Sequence, residues 1–180
     1  MSQPVLDAPG LQSALRRIAQ EILARNPDLK ACSLVGIQRG GVFVGRRLAQ
    51  ELSVLSGQPV ACGSVDVTFH RDDLDRRAAP VVYPTEIPGD IDGTTVILVD
   101  DVLYTGRTIR AALDALHEFG RPRRIQLAVL VDRGHRELPI KPDFVGLELP
   151  TSVRQTVDVR LEESEGEDGV FLAEKAPASP

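Results

Sequence analysis

The stretch Val96-Ile97-Leu98-Val99-Asp100-Asp101-Val102-Leu103-Tyr104-Thr105-Gly106-Arg107-Thr108 decides how the chain folds. Four aliphatic residues run straight into two adjacent carboxylates, then into a short Thr-Gly-Arg-Thr turn and a helix-like pattern. A continuous apolar run of this kind predicts a strand buried on both faces, as in a parallel sheet. Each buried aliphatic side chain contributes roughly 1.5–3 kcal/mol, so the strand is well anchored. The two acids add nothing to that core. They are expected at the strand's carboxyl end, where open α/β sheets bind their ligands.

The turn indicates the ligand's chemistry. Thr105, Gly106, Arg107 and Thr108 supply hydroxyls, a guanidinium and backbone amides at the start of a helix. Unsatisfied N–H groups and the helix dipole make such a terminus a phosphate site. Gly106 lets the backbone come close to the anion. Asp100 and Asp101 cannot bind phosphate, so they suit hydroxyl donors or a hydrated divalent cation beside it. An ordinary strand–helix junction needs one capping residue, not six. Carboxylates for sugar hydroxyls beside an amide nest for phosphate describe a phosphorylated ribose.

The rest of the chain supports an enzyme built on such a sheet. At 180 residues it is the size of one domain. Its hydrophobic content of 42% is globular, and no apolar run is long enough to span a bilayer. Asp7, Pro9 and Gly10 interrupt the beginning, where a secretory signal would need an apolar run, so a cytoplasmic location is expected. Cys32 and Cys62 lack metal or redox spacing and read as small core residues. A net charge of -5 argues against a chain built mainly to coat nucleic acid, while allowing a local basic patch.

Periodicity predicts alternating elements. Leu11, Ala14, Leu15, Ile18, Ala19, Ile22 and Leu23 mark a helix that ends at Asn26-Pro27. A strand over Cys32–Ile37 turns through Gln38-Arg39-Gly40-Gly41 into a helix carrying Val44, Leu48, Leu52 and Leu55. Val60 to Phe69 is strand-like, and His70 to Gly93 is a long charged, Pro- and Gly-rich segment of the sort that forms a lid. A helix over about Arg107–Phe119 and a strand over Ile125–Val131 follow, then shorter strands near Phe144, Val157–Leu161 and Val170–Leu172. This alternation predicts a mainly parallel α/β sheet flanked by helices.

Two further segments fall at strand ends. Arg39-Gly40-Gly41 offers a second anion site or an ordinary tight turn. Neither a P-loop nor a GxGxxG fingerprint is present. Asp132-Arg133-Gly134-His135-Arg136-Glu137 could read a flat heterocycle through its backbone, with Arg133 within reach of a phosphate, or could be a solvated loop.

Val96 to Thr108 resembles the phosphoribosyl pyrophosphate (PRPP) motif of type I phosphoribosyltransferases. The similarity is closer to the PyrR family, pyrimidine-operon regulators that are also uracil phosphoribosyltransferases. It includes Val65-Asp66-Val67-Thr68 with Arg71-Asp72-Asp73-Leu74, the run Leu130 to Pro139, Pro150-Thr151-Ser152 and Val157, and covers roughly residues 5 to 172. The resemblance implies one phosphoribosyltransferase domain over residues 1–175, with a flexible hood at about 69–93 and a frayed tail at 176–180.

It also implies roles. Asp100 and Asp101 would be catalytic, holding the ribose hydroxyls and meeting Mg2+ only indirectly, through PRPP and water. Val102 and Leu103 would contact substrate, and Tyr104, Thr105, Gly106, Arg107 and Thr108 would cradle its 5′-phosphate. Arg39 and Gly40 would contact pyrophosphate, Arg71 would close from the hood, and Arg133 and Val157 would flank the uracil and nucleotide pocket. His135, Arg136 and Lys141 would bind the leader of pyr mRNA when UMP or UTP is present, on a homodimer or higher homo-oligomer. Leu147 and Gln38 depart from that family's pattern, which commonly has lysine and threonine there. An RNA-binding nucleotide sensor with little catalysis, and a purine phosphoribosyltransferase, are the competing readings.

Overall fold

The computed structural model describes residues 4–71 and 81–174. The stretch Asp72-Asp73-Leu74 and the tail at 176–180 lie outside the described residues, as does the middle of the expected hood.

Helix α1 (Ala8–Arg25) starts where the Asp7 carboxylate accepts the Gly10 amide at 2.9 Å. It lays Leu11, Leu15, Ile18 and Ile22 against the sheet. Strand β1 (Cys32–Ile37) leads into α2 (Gly40–Ser56), which stops at Gly57 in the left-handed region, φ 67°. Then come β2 (Cys62–Val65), β3 (Thr95–Leu103), α3 (Arg107–Leu116), β4 (Arg124–Asp132) and β5 (Phe144–Glu148). These five strands form one sheet of order β2-β1-β3-β4-β5, parallel throughout. Strands β6 (Gln155–Arg160) and β7 (Gly169–Glu174), joined through the short helix α4 (Glu162–Glu165), pair antiparallel as a separate small sheet.

The central strand is buried on both faces, as its apolar run predicts. Ile97 and Val99 join the core under α1 and α2, whereas Val96 and Leu98 join the one under α3. Both cysteines are free thiols packed against the first of these cores, and burial pushes the Cys62 thiol up to about 11. No helix among the described residues is long and apolar enough to cross a membrane.

Three boundaries differ from the sequence expectation. Strand β3 does not stop at Val99: pairing of Val102 with Val131 and Leu103 with Asp132 carries it past both acids. Asp100 and Asp101 therefore lie within the strand, not beyond it. Strand β2 ends at Val65 instead of Phe69, because the Asp66 carboxylate accepts the Thr68 amide at 2.8 Å and turns the chain. Helix α3 ends at Leu116, leaving Phe119 in the following turn.

Further contacts reach both outer strands of the large sheet. Along β2, Ser64 and Glu86 exchange backbone hydrogen bonds of 2.8 Å. On β5, the Arg17 guanidinium of α1 donates to the carbonyls of Val145 and Gly146. Helix α2 is tied to the small sheet by Arg47, which bonds the Glu163 and Asp168 carboxylates at 2.6–2.9 Å. Hydrogen bonds from this guanidinium hold both acids below their usual pKa range.

Candidate active site

Strand order reverses between β1 and β3, since β1 leads outward to β2 and β3 leads the other way to β4. A crevice therefore opens between their carboxyl ends, the usual ligand position in such sheets. From the β1 side comes the turn Gln38-Arg39, whose peptide bond is cis, followed by the start of α2 at Gly40. From the β3 side come Asp100 and Asp101.

The two sides touch. A Cβ on Gly40 would lie 2.0 Å from Asp101 Oδ2, so the carboxylate rests directly on the glycine backbone. At Gly41 a Cβ would meet the Val99 carbonyl at 2.4 Å. Asp100 is only 6% exposed, and its Oδ1 accepts the Asp101 amide at 3.0 Å. Burial first, then the neighbouring Asp101 charge, pushes the Asp100 carboxyl well above the usual range; Arg71 acts in the opposite sense. Asp101 Oδ1 accepts the Val102 amide at 2.8 Å.

Beyond β3 the chain turns through Tyr104, Thr105 and Gly106. Gly106 has φ 92°, a conformation that disfavours any residue with a Cβ, and it starts α3. The Thr105 hydroxyl accepts the Arg107 amide at 3.3 Å. This turn wraps a cavity of about 270 Å³ that Asp100, Arg71 and Glu137 also line. A second cavity of about 270 Å³ lies on the β1 side, lined by Gln38, Arg39, Thr68 and Tyr83, and shares Arg71 with the first. The fold thus brings Arg39, Gly40, Arg71, Asp100, Asp101 and the 102–108 segment to one place, as expected from sequence. What they form is a helix start, with its unsatisfied amides, beside a pair of acids.

The end of β4 is organised differently. Arg133 is 5% exposed, and its guanidinium donates to Thr151 Oγ1 at 3.1 Å and to the carbonyls of Ser152 and Gln155 at 3.2 and 2.8 Å. It also stacks 4.1 Å above the Tyr104 ring. Nε and Nη2 of Arg133 are thus engaged by the 151–155 segment, while the residue also lines the cavity on this side. Arg136 donates to the carbonyls of Ile140 and Tyr104 at 3.0 and 2.8 Å and pairs with the Asp132 carboxylate. His135, at φ 63°, packs edge-on against Tyr104 with ring centroids 5.8 Å apart. Lys141 is exposed. Residues 132–135 and 148–151 line a cavity of about 490 Å³ on this side. Val157 is half-buried on β6, packs against the core under α1 and lies in the lining of neither crevice cavity.

A family model for the phosphoribosyl transferase domain matches residues 2–164. A bifunctional protein PyrR of Streptomyces coelicolor is 54% identical over 99% of this chain and 93% of its own length. The chain belongs to the PyrR family of phosphoribosyltransferases. A second PyrR relative, from a Roseiflexus species, is 54% identical over 97% of both chains. Among solved structures, the hypoxanthine phosphoribosyltransferase of Trypanosoma cruzi superimposes with a TM-score of 0.72 at 16% identity over 97% of both chains. That likeness shows the fold alone.

Two residues of this PyrR-family site carry roles that motif reading did not assign. Burial works against the Asp66 carboxylate, but hydrogen bonds from the Thr68 side chain and the Tyr83 and Thr68 amides outweigh it and lower its pKa. Asp66 thereby joins both stems of the segment between β2 and β3. Its Asp-x-Thr spacing was the available signal. The other is Glu137, whose carboxylate bonds Arg107 Nε at 2.8 Å in the wall of the cavity that the 102–108 turn wraps. That pair is 30 residues apart in sequence, so no local pattern announces it.

Proposed function

We propose that this chain transfers the phosphoribosyl group of PRPP to uracil, giving UMP and pyrophosphate, and regulates pyrimidine genes by binding their mRNA leader when uridine nucleotides are present. The observation that carries the reading is the meeting of the Asp100-Asp101 pair, the Tyr104–Thr108 turn and Arg39-Gly40 at one crevice. The turn and the start of α3 receive the 5′-phosphate; Asp101, with Asp100 behind it, takes the ribose hydroxyls. Arg39 and the Gly40 backbone receive the pyrophosphate.

As the bond from C1′ to pyrophosphate breaks and uracil N1 attacks, positive charge grows on the ribose. A nearby carboxylate stabilises that charge in a site closed to water. Arg71 borders both cavities, which supports a role for it at the two phosphate groups. The donor set fits Mg2+ carried in by the substrate: two hard carboxylates are available, and this ion is commonly held by one or two carboxylates plus substrate phosphates. Bound there, it would neutralise charge on the leaving pyrophosphate, with Asp100 and Asp101 meeting it through PRPP and water.

For RNA, the segment after β4 supplies His135 and Lys141 on its exposed side. Arg136 braces that segment from within, so its contribution to RNA binding runs through loop shape as much as charge. Two copies side by side would extend this surface, in a cytoplasmic homodimer or larger assembly. Formation of UMP from uracil and PRPP tests the enzyme; no product would remove it, and faster turnover of hypoxanthine or guanine would reassign the base. A gel shift of the pyrimidine-gene leader, with and without UMP, tests the regulator.

A further inference from the structure

The phosphate turn and the segment after β4 form one hydrogen-bonded unit. The Arg133 amide donates to the Leu103 carbonyl at 3.1 Å, and the Glu137 and Leu138 amides both donate to the Thr105 carbonyl, at 3.0 and 3.2 Å. Arg136 adds its bond to the Tyr104 carbonyl at 2.8 Å. A Cβ on Gly106 would sit 3.3 Å from Ile140 Cδ1, so the turn also packs directly on this segment. Within this unit one contact differs in kind. Glu137 places a carboxylate beside the helix start in the wall of the cavity that the turn wraps, which Asp100 also lines, and Arg107 holds it there.

The Arg107 and Glu137 side chains are 45% and 54% exposed, and ion pairs so exposed contribute little to stability. The backbone bonds therefore hold the unit together, and the ion pair is cheap to exchange. A phosphate entering the cavity repels the Glu137 carboxylate and competes for the same guanidinium.

We propose that Glu137 is the phosphate-sensing residue of this site. Its carboxylate occupies the cavity wall against Arg107 in the empty protein and yields to a nucleotide 5′-phosphate. Because Glu137 lies between His135 and Lys141, its displacement carries the state of the nucleotide site to the RNA-contact segment. The two states differ in which anion Arg107 holds, which supplies the differential contact that coupling between sites requires. This inference rests on the proposed function for its biological sense, but its first test needs neither RNA nor turnover.

The test measures binding of inorganic phosphate and of UMP to the full chain, with amide hydrogen exchange over residues 133–141. Removing the competing carboxylate in Glu137→Gln should tighten inorganic phosphate several-fold and abolish the UMP-induced exchange change in that segment. Glu137→Asp, still anionic, should keep the weaker phosphate binding of the parent and so separate charge from packing. In the RNA arm, the ratio of affinities with and without UMP should fall about tenfold toward unity in Glu137→Gln. Parent-like phosphate affinity together with parent-like exchange in Glu137→Gln would overturn the proposal. Absence of UMP synthesis or RNA binding by the parent would instead strike the proposed function, and the phosphate arm would still decide the role of Glu137.

Discussion

Strands β3 and β4 lie side by side, both parallel, both carrying aspartate in their last residues before a glycine-containing turn, yet these carboxyl-terminal parts do opposite things. At β3, Asp100 and Asp101 accept hydrogen bonds from the amides immediately following them, and burial, then the neighbouring Asp101 charge, raises the pKa of Asp100. At β4, Asp132 accepts the Gly134 amide and the Arg136 guanidinium, while Arg133 binds three acceptors on another segment. One end keeps acids poised against each other and facing a crevice; the other spends its charges on holding a loop. Position at a strand's carboxyl end is shared by both, so it cannot alone mark a ligand contact. Intramolecular partners make the distinction.

The comparison breaks most sharply at Asp101. Asp101→Asn should lower turnover by roughly 100-fold or more, as loss of one electrostatic stabiliser does, with little change in melting temperature. Turnover near the parent's would move Asp101 out of the site. At the other end, Arg133→Ala should cost about 2 kcal/mol, measured by urea denaturation, because it removes a buried guanidinium from three acceptors and from the Tyr104 ring. A loss under 0.5 kcal/mol would mean that Arg133 is no brace.

The two strand-end acids should respond with opposite signs. Asp132→Asn should destabilise by about 1 kcal/mol through its weakened pairing with Arg136, whereas Asp100→Asn should stabilise by about 1 kcal/mol at neutral pH. The pH dependence of the second follows from its raised folded-state pKa. As pH rises above the unfolded value near 3.8, the unfolded chain loses this proton before the folded one does, so stability falls across that window. The advantage of Asp100→Asn should therefore be small in acid and grow toward neutrality; a gap that does not change with pH would contradict the raised pKa. The smallest effect is expected at exposed Lys141: Lys141→Ala should reduce the log–log salt slope of RNA binding by about 0.7–0.9, with transferase activity kept. An unchanged slope would remove Lys141 from the RNA surface.

The features legible in sequence were those encoded locally. The Val96–Val99 run and the turn that leads into α3 each sit within a few residues, and each is found as a buried strand and a helix start. Extension of β3 beyond its acids depended on the register with β4, which no single segment contains. The roles of Arg133 and Arg136 were hidden for the same reason. A charged residue in a glycine-containing loop reads as solvated until the chain at 151–155, or Tyr104 from 32 residues away, is seen to supply its acceptors. Glu137 was hidden twice over, being both acidic and remote from the phosphate turn it faces.

The outer edges of the large sheet bear on how copies of the chain can associate. An open strand edge is a template for pairing with another chain. Here the Ser64–Glu86 bridge lies along one edge, and the Arg17 guanidinium occupies two carbonyls of the other. On the β2 side, a second copy could add a strand at Ser64 only by first breaking two bonds already made, so that edge is kept from seeding fibres.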